Sequence, residues 1–155
     1  MPRALPRPPA YDGAASSTPT GILSHLDAVY GFALTLTGSA ERAEDLTEDV
    51  FESVHGDLWT TLGGHSLRDR LLARCVTAYV ASAASLGAAD DTPDALRGML
   101  LELPWNERAA IALVDQMGLT YSAAAAVLGT STTEFRTLLH HGRSILFAAH
   151  RADAR

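Results

Sequence analysis

The sequence predicts an all-α protein, two small helical domains joined by a short linker. Three observations carry this. Apolar residues recur at spacings of three and four along nearly the whole chain, and no stretch alternates as a half-buried strand would. The one clear interior interruption, Ala88 to Asp94, is a run of small, acidic and proline residues. The stretch Gly118 to Gly142, GLTYSAAAAVLGTSTTEFRTLLHHG, reads as a helix, a tight turn and a second helix. The expected division is an arm over 1–20, a first domain over 21–87, a linker over 88–94, a second domain over 95–150 and a tail over 151–155.

Residues 1–20 hold five prolines and many small residues, which predicts a disordered or loosely held arm, or one that docks on a partner. Gly21 to Thr37 reads as a helix, with Thr20 as cap and Ile22, Leu26, Val29, Tyr30, Ala33 and Leu36 on one face. Gly38 ends it and Ser39 caps the next, Ala40 to about Val54, whose inner face is Ala43, Leu46, Val50, Phe51 and Val54. Its other side is acidic. Glu41, Asp45, Glu48 and Glu52 are spaced four, three and four, which places them together, and Glu44 and Asp49 add to them. His55 to His65, with Gly56, Gly63 and Gly64, reads as a break.

Ser66 caps a third helix, with Asp69 at the capping-box position and Gly87 as its stop. Pro93 suits the first turn of a following helix, with Thr92 as its cap, and the chain then runs through Asp94–Leu101 and Trp105–Met117. In the helix-turn-helix stretch Thr120 caps a helix whose apolar positions are Tyr121, Ala124, Ala125 and Leu128. Gly129 suits a left-handed end, and Ser131 with Glu134 forms a capping box for the last helix. In such a motif the second helix enters the DNA major groove. Short amphipathic helix pairs with a glycine turn also serve as plain packing units in helical proteins.

Composition narrows the function. The 155 residues are 47% hydrophobic and 19% charged, enough to fold, and every one of the 12 basic residues is arginine. A net charge of −6 argues against a surface that grips nucleic acid everywhere, though not against DNA contact made within a larger complex. Cys75 is the only cysteine, so no intramolecular disulfide forms and a reducing cytosol fits. Neither a membrane-length apolar run nor a leader is evident, so a cytoplasmic protein is expected. No nucleophile elbow, phosphate-binding loop or zinc-protease pattern occurs. An enzyme, a cofactor and a metal site are therefore not expected. His140 and His141 point apart on a helix and read as surface or DNA-facing residues, Cys75 as a core residue, and Trp59 and Trp105 as anchors at helix junctions.

The second half resembles the fourth conserved region of sigma factors of the extracytoplasmic function (ECF) type. Leu103, Pro104, Arg108, Gly118, Leu119, Tyr121, Ala124, Leu128, Gly129, Ser131, Leu139, His140, Gly142 and Arg143 stand where that pattern has them. The run YGFALTLTGSAERAEDLTEDVF is similar to the family's second conserved region, with Leu36, Thr37, Gly38, Ala43, Glu44, Asp45, Leu46, Asp49, Val50 and Phe51 matching. Together the two resemblances cover nearly everything but the arm and the linker.

The resemblance implies an initiation factor for bacterial core RNA polymerase. Glu41, Glu44, Asp45, Glu48, Asp49, Phe51 and Glu52 would grip the clamp helices of the polymerase β′ subunit. Arg70, Arg74, Thr133, Arg136, Thr137, His140 and Arg143 would contact promoter DNA, and an anti-sigma factor is a further possible partner. Departures run through the DNA-reading parts. Cys75 replaces an asparagine, and VTAYVASAASLG stands where a basic run is usual. Glu48 takes the place of glutamine, Glu134 of threonine and Leu138 of arginine. Of the outward residues Thr133, Arg136, Thr137 and His140, only Arg136 can make the bidentate contact to guanine that reads sequence strongly. The residues from Ala84 to Arg97 span at most ~50 Å, little more than one DNA turn of ~35 Å. Two readings follow: a working initiation factor, or a sigma-like decoy or adaptor that binds an anti-sigma factor or polymerase without reading DNA. A plain helix-turn-helix repressor leaves the front half unexplained.

Overall fold

The computed structural model describes residues 19–57, 66–83 and 95–153. Eight helices are seen among them. They are α1 (Pro19–Leu23), α2 (Leu26–Thr37), α3 (Ala40–Asp57), α4 (Leu67–Ala83), α5 (Ala95–Glu102), α6 (Trp105–Ile111), α7 (Tyr121–Leu128) and α8 (Thr132–Asp153). No strand occurs among the described residues. Most of the arm, the segment around Trp59 and the linker lie outside them, so the arm and linker boundaries, the Thr92–Pro93 start and the Trp59 anchor are not addressed.

Short-range signals place the helix ends. Ser39 Oγ accepts from the Arg42 amide at 3.4 Å and Ser66 Oγ from the Asp69 amide at 3.1 Å. Gly38 adopts φ 71°, and its amide reaches Leu34 O at 2.9 Å. Gly129, at φ 68°, ends α7 in a Schellman motif: its own amide bonds Ala126 O, and the Thr130 amide bonds Ala125 O at 3.0 Å.

Three expectations change. The first helix is broken after Leu23, where the Ser24 hydroxyl donates to Gly21 O at 2.7 Å instead of leaving that carbonyl to the helix. Thr20 thus lies within α1 and does not cap it. Helix α3 runs on to Asp57, so His55 and Gly56 are helical. Helix α6 does not continue regularly to Met117 but widens into a π-helical turn, Ala112–Gln116, where the Met117 amide reaches back five residues to Ala112 O at 2.9 Å.

Helices α2, α3 and α4 pack as one group and α6, α7 and α8 as another, and the two groups share one continuous core through α4 on α7 and α2 on α6. Val29, Phe32, Leu36, Val50, Val54, Leu71, Leu72 and Cys75 fill the first half of that core, and Leu113 and Phe135 the second. Phe32 and Val127 are buried although neither lay on an expected inner face, while Leu26 and Tyr121 are 41% and 38% exposed.

Arg108 ties the halves together. It is 5% exposed, and no carboxylate faces it among its contacts. One guanidinium nitrogen donates to Leu100 O, Leu101 O and Leu103 O at 3.3, 3.1 and 3.2 Å. The other donates to Leu36 O at 2.8 Å and to the Tyr79 hydroxyl at 3.3 Å. Leu36, Leu100 and Leu101 lie at the C-terminal ends of α2 and α5, where helix dipoles place partial negative charge, and Leu103 follows α5 directly. Burial pulls the Arg108 pKa down from the ordinary arginine value, and Tyr79 opposes that shift. Two more contacts cross the same seam. Thr35 Oγ1 donates to Gln116 Oε1 at 3.0 Å, and the Tyr79 and Trp105 rings meet at 6.0 Å, which confirms Trp105 as a junction anchor.

Candidate functional site

The acidic helix α3 buries Ala43, Leu46, Val50 and Val54, and Thr47 joins them with its hydroxyl donated to Ala43 O at 2.6 Å. Helical spacing then turns Glu41, Glu44, Asp45, Glu48, Asp49 and Glu52 outward, and all six are exposed. Phe51 is half-buried and, with Tyr30, Ile22, Leu23 and Leu26, lines an open groove of about 640 Å³ between α3 and the α1–α2 segment. Asp27, Glu44 and Glu48 stand on the rim of that groove.

The helix-turn-helix is built as its sequence specifies. Thr120 Oγ1 accepts from the Ala123 amide at 3.2 Å. At the start of α8 the capping box closes both ways: Ser131 Oγ accepts from the Glu134 amide at 3.2 Å, and Glu134 Oε2 accepts from the Ser131 amide at 2.9 Å. The Ser131 amide, with the Ser131 hydroxyl donating to the same oxygen at 2.9 Å, holds the Glu134 carboxyl below the usual carboxylate range. Glu134 is therefore engaged in holding its own helix.

Phe135 and Leu139 fix α8 in the core, and Leu138 is half-buried against them. Gly142 is buried because α8 crosses α6 closely there. A Cβ at that position would sit 3.0 Å from Ile111 Cδ1 and 3.2 Å from Glu107 Cβ. Thr133, Arg136, Thr137, His140 and Arg143 are all exposed. Arg136 lies over the Tyr121 ring at 5.8 Å from its centroid, which steadies a long side chain without neutralising it.

Two of the expected DNA contacts also lie against the chain's own residues. Arg143 pairs through both guanidinium faces with Asp115 of the π-helical turn, Nε to Oδ2 at 3.3 Å, and this pairing holds it protonated more firmly than a free arginine. Arg70 lines a small gap of about 100 Å³ with Asp69 and Ala73 of α4 and Ala123, Ala126 and Val127 of α7, so it lies at the seam between the halves. Arg74 is exposed on α4. His141 is not merely a surface residue. Its Nδ1 lies 2.7 Å from Oε1 of Glu107, a carboxylate only 7% exposed and 34 residues away in the chain. No group of three or more metal-ligating side chains occurs among the described residues, and no helix among them is long and apolar enough to cross a membrane.

The family model of sigma-70, region 4, matches residues 94–146. The ECF RNA polymerase sigma factor SigE of Mycolicibacterium smegmatis is 30% identical over 149 residues, an alignment covering 81% of this chain and 58% of SigE. The chain is similar in sequence to sigma factors of the ECF type. It spans 58% of the length of that relative. The fold agrees with those of two solved proteins. The sigma factor RpoE of Bartonella quintana, crystallised with the anti-sigma factor NepR, superposes with a TM-score of 0.75 at 20% identity, over 86% of this chain and 96% of that one. CnrH, solved with the cytosolic domain of CnrY, gives 0.71 at 20% identity, over 86% and 87%. At these identities the agreement concerns architecture alone, two helical domains with the helix-turn-helix in the second.

Proposed function

We propose that this chain is an ECF sigma factor that directs bacterial core RNA polymerase to promoters. The observation that supports this most is the presence in one chain of two surfaces of opposite kind: a wholly exposed acidic face on α3, and a correctly capped helix-turn-helix whose second helix presents Arg136, Thr137 and His140 to solvent. The acidic face grips the polymerase clamp, because opposed charges across an interface steer and select partners. Helix α8 reads the promoter, with Arg136 as the residue able to address guanine. The regions 21–87 and 95–150 act as its two domains, and the linker 88–94 lets them address separate promoter elements. An anti-sigma factor is a further partner of the same surfaces. The NepR-bound RpoE is consistent with that pairing.

Promoter-specific transcription with purified core polymerase tests the proposal. Asp45→Lys with Glu48→Lys should leave the fold intact, since both side chains are exposed, and should weaken polymerase binding. Arg136→Ala should spare polymerase binding and reduce transcription. A wild-type chain that binds polymerase but never initiates, or an Arg136→Ala variant with full activity, would move the protein to the decoy class.

A further inference from the structure

We infer that the groove between α3 and the α1–α2 segment is the docking site for the chain's own arm, with Pro6–Pro9 laid along it and Arg3 and Arg7 on its acidic rim. This is independent of what the acidic helix grips and concerns the free protein.

The groove has the character of a binding site. Its volume of about 640 Å³ lies within the ~300–1,000 Å³ of pockets that bury drug-sized ligands. Its walls are apolar, with Tyr30 and Phe51 contributing aromatic surface. Leu23 and Leu26 beside it are 59% and 41% exposed, an apolar edge that a folded chain gains by covering. Among the described residues the charges lining it are negative, from Asp27, Glu44 and Glu48.

Three features of the sequence point to the arm as occupant. Arg3 and Arg7 are the only arginines ahead of Arg42, so the arm brings two cations to a groove whose described rim is acidic. The arm contains Pro6-Arg7-Pro8-Pro9, the proline spacing that packs into aromatic-lined grooves, and prolines with φ already fixed lose little freedom on docking. The arm is also tethered where it is needed: it leads directly into α1, whose Ile22 and Leu23 form one wall. Residues 10–18 extend to at most ~30 Å. The stretch of α3 from Glu44 to Phe51 is only ~10 Å long. The reach is ample, and a tether this short supplies an effective concentration of the order of mM.

Glu44 and Glu48 therefore serve two surfaces, the groove rim and the outer acidic face. A docked arm competes with any basic partner for them.

The buried Cys75 makes the test clean. Burial pushes its thiol up to about 12, so it escapes labelling in the folded chain, and a nitroxide goes only to an Ala4→Cys side chain. In the full-length labelled protein, NMR signals of Thr47 and Phe51 should lose more than half their intensity, while those of Ala124 and Leu139 in the other half should not change. Arg3→Glu with Arg7→Glu should restore the signals. Adding Glu44→Lys and Glu48→Lys to that variant should quench them again, because the charges then match in reverse. Broadening that simply decays with chain distance from residue 4, indifferent to these reversals, would show an undocked arm and overturn the inference. So would broadening that appears in a mixture of labelled and isotope-enriched chains, which would assign the groove to a second copy. Groove signals blind to the arm and shifted only on adding core polymerase would give the groove to that partner instead.

Discussion

Replacing Arg108 with methionine keeps the volume and removes every hydrogen bond that joins Leu36, Tyr79 and the end of α5 to α6. The five acceptors do not suffer equally. Leu100 O, Leu101 O and the Tyr79 hydroxyl are at part-buried contacts and can turn to water, whereas the bonds to Leu36 O and Leu103 O are fully buried. An orphaned buried acceptor costs about 1–3 kcal/mol, so the two together cost roughly 2–6 kcal/mol. Removing a buried charge returns part of this, because its desolvation is no longer needed. The expected net loss is about 3 kcal/mol. In a chain of this size that lowers the melting temperature by roughly 6–12 °C.

The loss also has a location. The bonds to Leu36 and Tyr79 cross between the halves, so Arg108→Met should loosen that seam first. Urea denaturation followed separately through Trp105, at the seam, and through circular dichroism should give two midpoints in the variant and one in the parent. Arg108→Lys, which keeps the charge but not the fork, should fall between. A variant with an unchanged single transition would refute the assignment of Arg108 as the tie.

Gly38→Ala should destabilise by about 1–3 kcal/mol, since it forces a side chain into a left-handed conformation and sets a Cβ 2.6 Å from the Leu101 methyls; Gly21→Ala, with nothing within 4 Å, is the control, and both are read by chemical denaturation. Leu138→Arg should remain folded with a lower melting temperature, because a half-buried site lets a long side chain turn its charge to water. If that charge reaches a phosphate, the log–log salt slope of DNA binding steepens by about 1, and an unchanged slope would leave Leu138 a packing residue only. The folded pKa of Glu134 is depressed, so its capping contribution is complete above the unfolded value of about 4.3 and is lost as pH falls through the folded value. An acid titration watching the Ser131 amide by NMR should show release only below that range, and release near neutrality would contradict it.

The capped helix ends were legible in the sequence because the groups that make them are close in the chain. Ser39, Ser66, Thr120 and the Ser131–Glu134 box each act across three residues. The acidic face was legible for the same reason, as its spacing alone turns it outward. The seam was not. Arg108 meets Leu36 across 72 positions, Thr35 meets Gln116 across 81, and His141 meets Glu107 across 34, separations at which no local pattern signals a contact. Arg108 stood out in the sequence only as a match to the family pattern, with nothing to show that it is buried. Phe32 was missed as a core residue because α2 is covered from more than one side, by α3, α4 and α6, and a single apolar stripe understates such burial. That Arg70 and Arg143 lie against α7 and Asp115 was not legible either, because the halves and the π-helical turn lie where periodicity does not reach.

The shared core between α4 and α7 turns binding into a question of populations. Any ligand that holds the two halves apart, as two separated DNA elements do, binds only those molecules in which Arg108 has released Leu36 and Tyr79 and Thr35 has released Gln116. Its apparent affinity is its intrinsic affinity multiplied by the fraction of molecules already parted. A ligand that bridges the halves as they stand carries no such factor. Each bond across the seam thus sets, without touching either ligand, how far an embrace of the closed form outcompetes the open one.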